Sequence, residues 1–119
     1  MDSPTEDLAT FVSALDMGSV SPALCGLVSQ HVLDVLAGVY ASMDIPEAAS
    51  VATIMGSDNA AAAGRIAMLS HAAESDPIHA GTTICAGLIA VPPALLFSPD
   101  GATAAAAVLA GYETVIRIG

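Results

Sequence analysis

Basic side chains are almost absent from this sequence of 119 residues. It has no lysine and two arginines, Arg65 and Arg117, against 12 acidic residues, so the formal net charge is −10. Nucleic-acid binding needs clustered lysine and arginine, and an anionic membrane surface repels such a chain. The composition therefore argues against nucleic acid and membranes as partners. It also leaves a polyanionic substrate without counter-charges from this chain.

Aromatic residues and cysteines are scarce too. There is no tryptophan, and two phenylalanines and two tyrosines make up 3% of the chain. Cys25 and Cys85 lie far apart and match no metal-binding spacing, so both are expected to be small buried hydrophobic residues. The acidic residues 1–7 (MDSPTED) lack the basic region of a signal peptide. We expect a cytoplasmic protein.

Apolar residues, in contrast, make up 55% of the chain. This exceeds what a lone domain of this length usually buries, and the excess predicts that another chain covers part of the surface. The longest apolar run, residues 84–97, is shorter than the ~18 residues that span a bilayer and contains Pro92 and Pro93. It is expected to form a core helix.

Helical periodicity dominates the chain, and no segment has the alternation of a strand. Ser3, with Pro4 and Glu6 after it, is typical of a helix start, as is Ser57 or Asp58 before a run of alanines. The sequence predicts a single all-α domain over 1–119 with five to six helices, at residues 5–15, 22–43, 46–55, 60–70 (or to 74), 84–97 and 102–117. Helix 22–43 is apolar on nearly all sides, so we expect several of its faces to be buried.

Titratable groups are gathered in residues 70–79 (SHAAESDPIH). His71, Glu74, Asp76 and His79 lie within nine residues of an otherwise apolar chain. Imidazole exchanges protons near neutrality and a carboxylate can accept a proton or orient an imidazole. His71 would alternatively be a buried, hydrogen-bonded helix residue, and Asp76 a plain loop residue. A metal site from the four residues is geometrically conceivable.

Three segments together resemble the N-terminal part of the helical domain of the MmgE/PrpD family (2-methylcitrate dehydratase-like proteins). Residues 33–38 (LDVLAG) are similar to the family's LLDTLG helix, and residues 70–79 to its AHALDFDDTH loop. Residues 86–95 (AGLIAVPPAL) and 109–113 (LAGYE) are similar to PGAVVVPAAL and VAGYE. The order and spacing of these segments cover nearly the whole chain.

The resemblance implies proton abstraction beside a carboxylate, without metal or organic cofactor, in a lyase or isomerase. It implies His79, Asp76 and His71 as catalytic residues and Glu74, Thr82, Thr83 and Cys85 as substrate-binding residues. Tyr112 also matches the family, although it is equally expected to be a packing residue, and His31 to be a core histidine.

This sequence departs from the family in length and in composition of the loop. Family chains are several times longer and carry a second, lid domain, which we expect another chain or a second copy to supply. Pro77 replaces the family's second aspartate, and residues 85–87 (CAG) replace its HPG or TPG triplet. A polycarboxylate pocket would therefore need cations from elsewhere, because Arg65 is about 9 Å along the helix from His71 and on another face.

Three functions follow as expectations. The first is the small subunit of a split enzyme whose larger partner chain supplies the lid and the cations for a small-molecule substrate. The second is a self-sufficient homo-oligomeric isomerase or cyclase of specialised metabolism with an apolar ligand. The third is a non-catalytic helical scaffold.

Overall fold

In a computed structural model, residues 3–54, 56–74 and 78–118 are described. These residues form six α-helices and one very short hairpin, which confirms the all-α prediction. The helices are α1 (Pro4–Ser13), α2 (Pro22–Ala41), α3 (Pro46–Ile54), α4 (Asn59–Ala72), α5 (Ala86–Phe97) and α6 (Gly101–Ile118). A 3-10 turn at Met17–Ser19 precedes α2, and strands β1 (Ile78–His79) and β2 (Ile84–Cys85) lie between α4 and α5.

The helices begin where the sequence places capping side chains. Ser3 and Glu6 form a reciprocal capping box at α1, with N–H···O distances of 3.2 and 2.8 Å. The Asp58 carboxylate accepts the Ala61 N–H at the start of α4 (2.7 Å). The Asp100 carboxylate accepts the Thr103 N–H at α6 (2.8 Å), and this bond lowers the pKa of Asp100. These caps satisfy amide groups that would otherwise lack partners.

The core lies where α2, α5 and α6 meet, and its side chains are small. Its buried members are Val28, Val35, Val91, Ala94, Val108 and Leu109. Helices lined by such residues approach closely. A methyl group on Gly38 of α2 would lie 2.9 Å from Ser70 Oγ of α4, and one on Gly111 of α6 would lie 2.6 Å from Ala90 Cβ of α5. Both glycines are therefore required by the helix crossings.

Helix α2 is less buried than the sequence predicted. Its buried residues are Val28, Val35 and Gly38, which lie on one side, whereas several of its large apolar side chains are exposed. The expectation of burial on several faces is therefore wrong for the single chain. Among the described residues, α2 is long and apolar enough to cross a membrane by length and composition, with 17% of that window buried. The core helix of a water-soluble protein can pass the same test.

The hairpin corrects the expectation of a loop at residues 78–83 and a helix from Ile84. Ile78 pairs with Cys85, and His79 pairs with Ile84, in an antiparallel register. Because Ile84 and Cys85 pair with β1, α5 begins two residues later, at Ala86. Strands of two residues are too short to give an alternating pattern that sequence analysis can detect. The buried half of α5 includes Pro92, which agrees with its predicted core position.

Candidate functional site

The residues singled out by sequence lie at the end of α4, on the hairpin and at the start of α5. His71 is in the last turn of α4 and is exposed. His79 is on β1 and Cys85 on β2, so the pairing of the strands sets the position of the second imidazole relative to α5. Asp76, with residues 75 and 77, lies outside the described residues, so the predicted role of its carboxylate stays a prediction.

Glu74 ends α4 in a strained backbone conformation. It follows the C-cap Ala73 with a φ of 50°, and its N–H donates to the His71 carbonyl (2.9 Å). A left-handed residue at this position satisfies a terminal carbonyl but is usually glycine. The carboxylate side chain is exposed. A charged side chain thus occupies a left-handed position at which glycine, which has no side chain, is usual.

The imidazole of His79 is held by a residue across the hairpin turn. Its Nδ1 lies 3.0 Å from Thr82 Oγ1, and its carbonyl accepts the N–H groups of Thr82 (3.2 Å) and Thr83 (2.7 Å). A methyl group on Gly81 would lie 3.0 Å from Cε1 of the ring. Thr82 thus restricts where the ring lies and Gly81 leaves room for it, while the residue as a whole stays exposed.

The His79–Thr82 contact has two chemical forms. If the Thr82 hydroxyl donates to Nδ1, then Nε2 carries the ring proton and has no lone pair to accept another. If Nδ1–H donates to the hydroxyl oxygen, Nε2 has a free lone pair and can act as a base. The imidazolium that then forms keeps its Nδ1–H on the hydroxyl oxygen, so the same contact orients the ring when Nε2 takes the proton and when it returns it.

The remaining candidates for substrate binding differ in their availability. Thr83 has a φ of 56° and its hydroxyl donates to the Thr82 carbonyl (2.7 Å), so it serves the turn. Glu74 and Thr83 are the two non-glycine residues with positive φ among the described residues. Both flank His79. Strained backbone tends to accumulate at functional sites. Cys85 is half-buried at the N-cap of α5.

Both arginines are engaged away from these residues. Arg65 donates to the carbonyl of Gly56. Arg117 forms an ion pair with Glu113 (3.0 Å) and lies over the Phe11 ring at 4.6 Å from its centroid, which ties α6 to α1. The expectation that any clamp for a carboxylate comes from outside this chain stays a prediction.

Two grooves are found in the described part of the chain, and neither is lined by the candidate residues. The larger, about 620 Å³, lies between α1 and α6 and includes Phe11 and Arg117. The smaller, about 330 Å³, lies between α5 and α6 and is lined mainly by apolar and small residues such as Ile89 and Phe97. Neither of these two grooves is therefore built around His79, which is exposed.

One pair of polar residues was not assigned to any site by sequence. The rings of His31 and Tyr112 lie 4.9 Å apart between α2 and α6. The Tyr112 hydroxyl is buried without a hydrogen-bond partner in the described structure. Burial, with a smaller effect of Asp34, raises the pKa of Tyr112 to about 12. Tyr112 packs between helices, which was one of the two expectations for it. No feature of the sequence indicates that its hydroxyl lacks a partner among the described residues.

No group of three or more His, Cys, Asp or Glu side chains that could hold a metal ion is found among the described residues. Since Asp76 lies outside them, this finding covers only part of the four-residue cluster.

Comparison of the chain with known proteins finds no matching family model, no similar curated protein and no similar solved structure. The likeness to MmgE/PrpD proteins therefore depends on the sequence segments quoted above.

Proposed function

We propose that this chain is the small subunit of a split, cofactor-independent lyase or isomerase of the MmgE/PrpD type. A larger partner chain would supply the missing walls of the active site and the cations that bind a small carboxylated substrate. Alternatively, the chain acts by itself as a homo-oligomer or serves as a scaffold. The cytoplasm is the proposed location.

The observation that carries the proposal is the coincidence of a positioned imidazole with strained backbone. Thr82 holds the His79 ring at 3.0 Å, and the left-handed residues Glu74 and Thr83 flank it. Each such residue costs of the order of 1–3 kcal/mol, and such costs persist mainly where function needs the geometry. An exposed loop without a role would not be expected to retain both.

The proposed reaction starts with removal of a proton from the carbon next to a carboxylate. Nε2 of His79 takes the proton while Nδ1–H donates to Thr82, so the imidazolium that forms remains oriented. The electron pair left on carbon delocalises into the carboxylate, which needs a cation nearby. Return of the proton to another carbon is isomerisation, and departure of a protonated β-hydroxyl is dehydration. His71 and Asp76 are proposed to orient or exchange protons.

The partner requirement is supported by what surrounds His79 in the described residues. The two grooves lie elsewhere, and the two arginines are bonded to Gly56 and Glu113. The Cα radius of gyration, 15.1 Å, exceeds the about 13.5 Å of a compact domain of 119 residues. These features support a domain whose active site is completed by another polypeptide.

A tagged copy of the chain, purified with its natural partner, tests the proposal. The complex is incubated with small di- and tricarboxylates in D2O, and NMR follows deuterium entering the position next to the carboxylate. We expect exchange that falls by about 10²–10⁴-fold in His79→Ala and persists in His31→Gln, the matched histidine control. Exchange that is unchanged in His79→Ala would contradict a catalytic role and leave the scaffold hypothesis.

The homo-oligomeric alternative is favoured by a different feature, the apolar α5–α6 groove. Its lining includes exposed Ile89 and Phe97 and no charged residue, so it suits an apolar ligand better than a tricarboxylate. A catalytically active homo-oligomer of the isolated chain, shown by light scattering and the same exchange assay with apolar ketones, would support this alternative over the split enzyme.

A further inference from the structure

Helix α2 and the turn after it present a continuous apolar surface to solvent. Leu33, Leu36, Tyr40 and Met43, here called the α2 stripe, are 65, 41, 80 and 61% exposed. Their spacing of three, four and three residues places them on one side of a helix. They form a stripe and not a scatter of single exposed residues.

The α2 stripe faces away from the core. The buried residues of the same segment are Val28, Val35, Gly38 and Ser42. With 3.6 residues per turn, the centres of the two sets are roughly 135° apart around the helix axis. Helices α4 and α5 pack against α2. The buried side of α2 is therefore covered within the described part of the chain, and the α2 stripe is not.

The size of the α2 stripe is that of a binding surface. Its four side chains expose an apolar area on the order of a few hundred Å², comparable to the largest patch on a typical monomer. A standard protein interface buries about 800 Å² on each partner. The stripe is therefore large enough to be the apolar centre of an interface, with its polar rim supplying the remainder.

The charges around the α2 stripe indicate which partner fits. Asp44 follows Met43 and Glu47 lies in the first turn of α3, and both are exposed. Asp34 is exposed too, but it lies about 100° around the helix from Leu33 and so on another flank of α2. Residues 22–54 contain no lysine or arginine. The C-terminal end of the stripe is therefore acidic, and this segment has no cation to offset it.

A second copy of the chain is a poor match for this surface. It would bring the same two carboxylates and a formal net charge of −10, and like charges disfavour the pairing. Its two cations, Arg65 and Arg117, already bond to Gly56 and Glu113. A membrane fits poorly as well, because anionic lipid repels the same carboxylates.

We propose that the α2 stripe binds a helix of a different protein, one with an apolar face flanked by lysine or arginine. The inference rests on the proposed function in that it names the surface and the chemistry of the partner of the small subunit. Basic residues of that helix pair with Asp44 and Glu47, while its apolar face covers Tyr40 and Leu33. Rim pairs of this kind determine the choice of partner and the rate of association more than affinity.

A display selection on the purified chain tests the proposal without any activity assay. The probe is a library of amphipathic helical peptides with leucine, alanine and phenylalanine at core positions and lysine, glutamate, glutamine or serine at the rim. We expect selected peptides to be enriched in lysine at the rim. Their binding is expected to weaken at least about tenfold in Leu33→Gln/Tyr40→Gln, and several-fold in Asp44→Asn/Glu47→Gln with a flatter salt dependence.

Ile118→Gln is the matched control, since Ile118 is 73% exposed on α6 and its change is expected to leave binding unaltered. Circular dichroism of each variant identifies any loss of fold, and Tyr40→Gln alone then replaces the double variant. Peptides without basic enrichment, or bound equally by the stripe variants, would overturn the proposal. So would dimers of the chain, or its flotation with neutral phosphatidylcholine vesicles, that the stripe variants abolish. Because catalysis is not measured, failure here leaves the deuterium-exchange test of the proposed function intact.

Discussion

The imidazole of His79 and the hydroxyl of Thr82 lie 3.0 Å apart across the turn of the hairpin. The relationship is local, since three residues separate the two, and it depends on the turn that the His79 carbonyl closes with the N–H groups of Thr82 and Thr83. Thr82 is thereby a positioning residue for the proposed proton transfer.

Replacing Thr82 tests this role in the assembled enzyme. Thr82→Val keeps the shape of the side chain but removes the hydroxyl, and we expect kcat to fall about tenfold, the loss of one hydrogen bond, with a shift in the pH profile of kcat. Thr82→Ser keeps the hydroxyl and is expected to restore most of the activity. If Val and Ser variants are equally active, the hydroxyl does not orient the ring.

The crossing of α5 and α6 gives a prediction about stability. Gly111→Ala places a methyl group 2.6 Å from Ala90 Cβ, so the helices must separate, and we expect a loss of about 1–3 kcal/mol in the free energy of unfolding. Gly26→Ala is the matched control in α2, since no atom lies within 4 Å of its added methyl group; it is expected to stabilise by up to about 1 kcal/mol. Urea denaturation measures both, and changes of the same sign would contradict the close crossing.

The left-handed backbone after α4 predicts that a glycine substitution raises the stability of the fold. Glu74→Gly relieves the left-handed conformation (φ 50°) and is expected to stabilise the fold by roughly 0.5–1 kcal/mol. Glu74→Gln removes the charge but keeps the strain, so its stability should match that of the wild type. Thermal unfolding followed by circular dichroism compares the three proteins; an equal gain in both variants would point to charge instead of backbone.

Alkaline pH is expected to weaken the fold through Tyr112. Burial raises its pKa to about 12, above the ordinary value of 10, so the unfolded chain loses this proton first as pH rises. The resulting contribution to stability is intact below pH 10 and is lost progressively between pH 10 and 12. Urea midpoints across that range measure the slope.

Tyr112→Phe should flatten this slope. It should also leave stability at pH 7 unchanged or slightly higher, because it removes a buried hydroxyl without a partner in the described residues. Tyr40→Phe, at an 80% exposed position, is the control and is expected to keep the slope of the wild type. A wild-type slope in Tyr112→Phe would assign the alkaline weakening to another group.

The helices were largely predictable because their signals are local. Ser3, Asp58 and Asp100 each begin a helix within a residue or two of the predicted position, since capping depends on a side chain and amides three residues away. Apolar composition likewise predicted α5 as a core helix, and half of its residues are buried.

The sequence did not show which segments of the chain contact one another. The hairpin consists of two-residue strands and gives no periodic signal. The burial of α2 was overestimated because hydropathy shows that a helix avoids water, not which polypeptide covers it. For the proposed site, sequence singled out both His79 and Thr82 but not the contact between them, which depends on the turn of the hairpin.

The two strands that carry His79 lead directly into α5, whose first residue, Ala86, is fully buried. The proposed base is therefore connected to the protein interior through the hairpin. β1 carries His79 and pairs with β2, and β2 continues into the packed helix α5. We therefore expect a substitution that repacks the first turn of α5 to shift β2 and, through the strand pairing, the imidazole on β1.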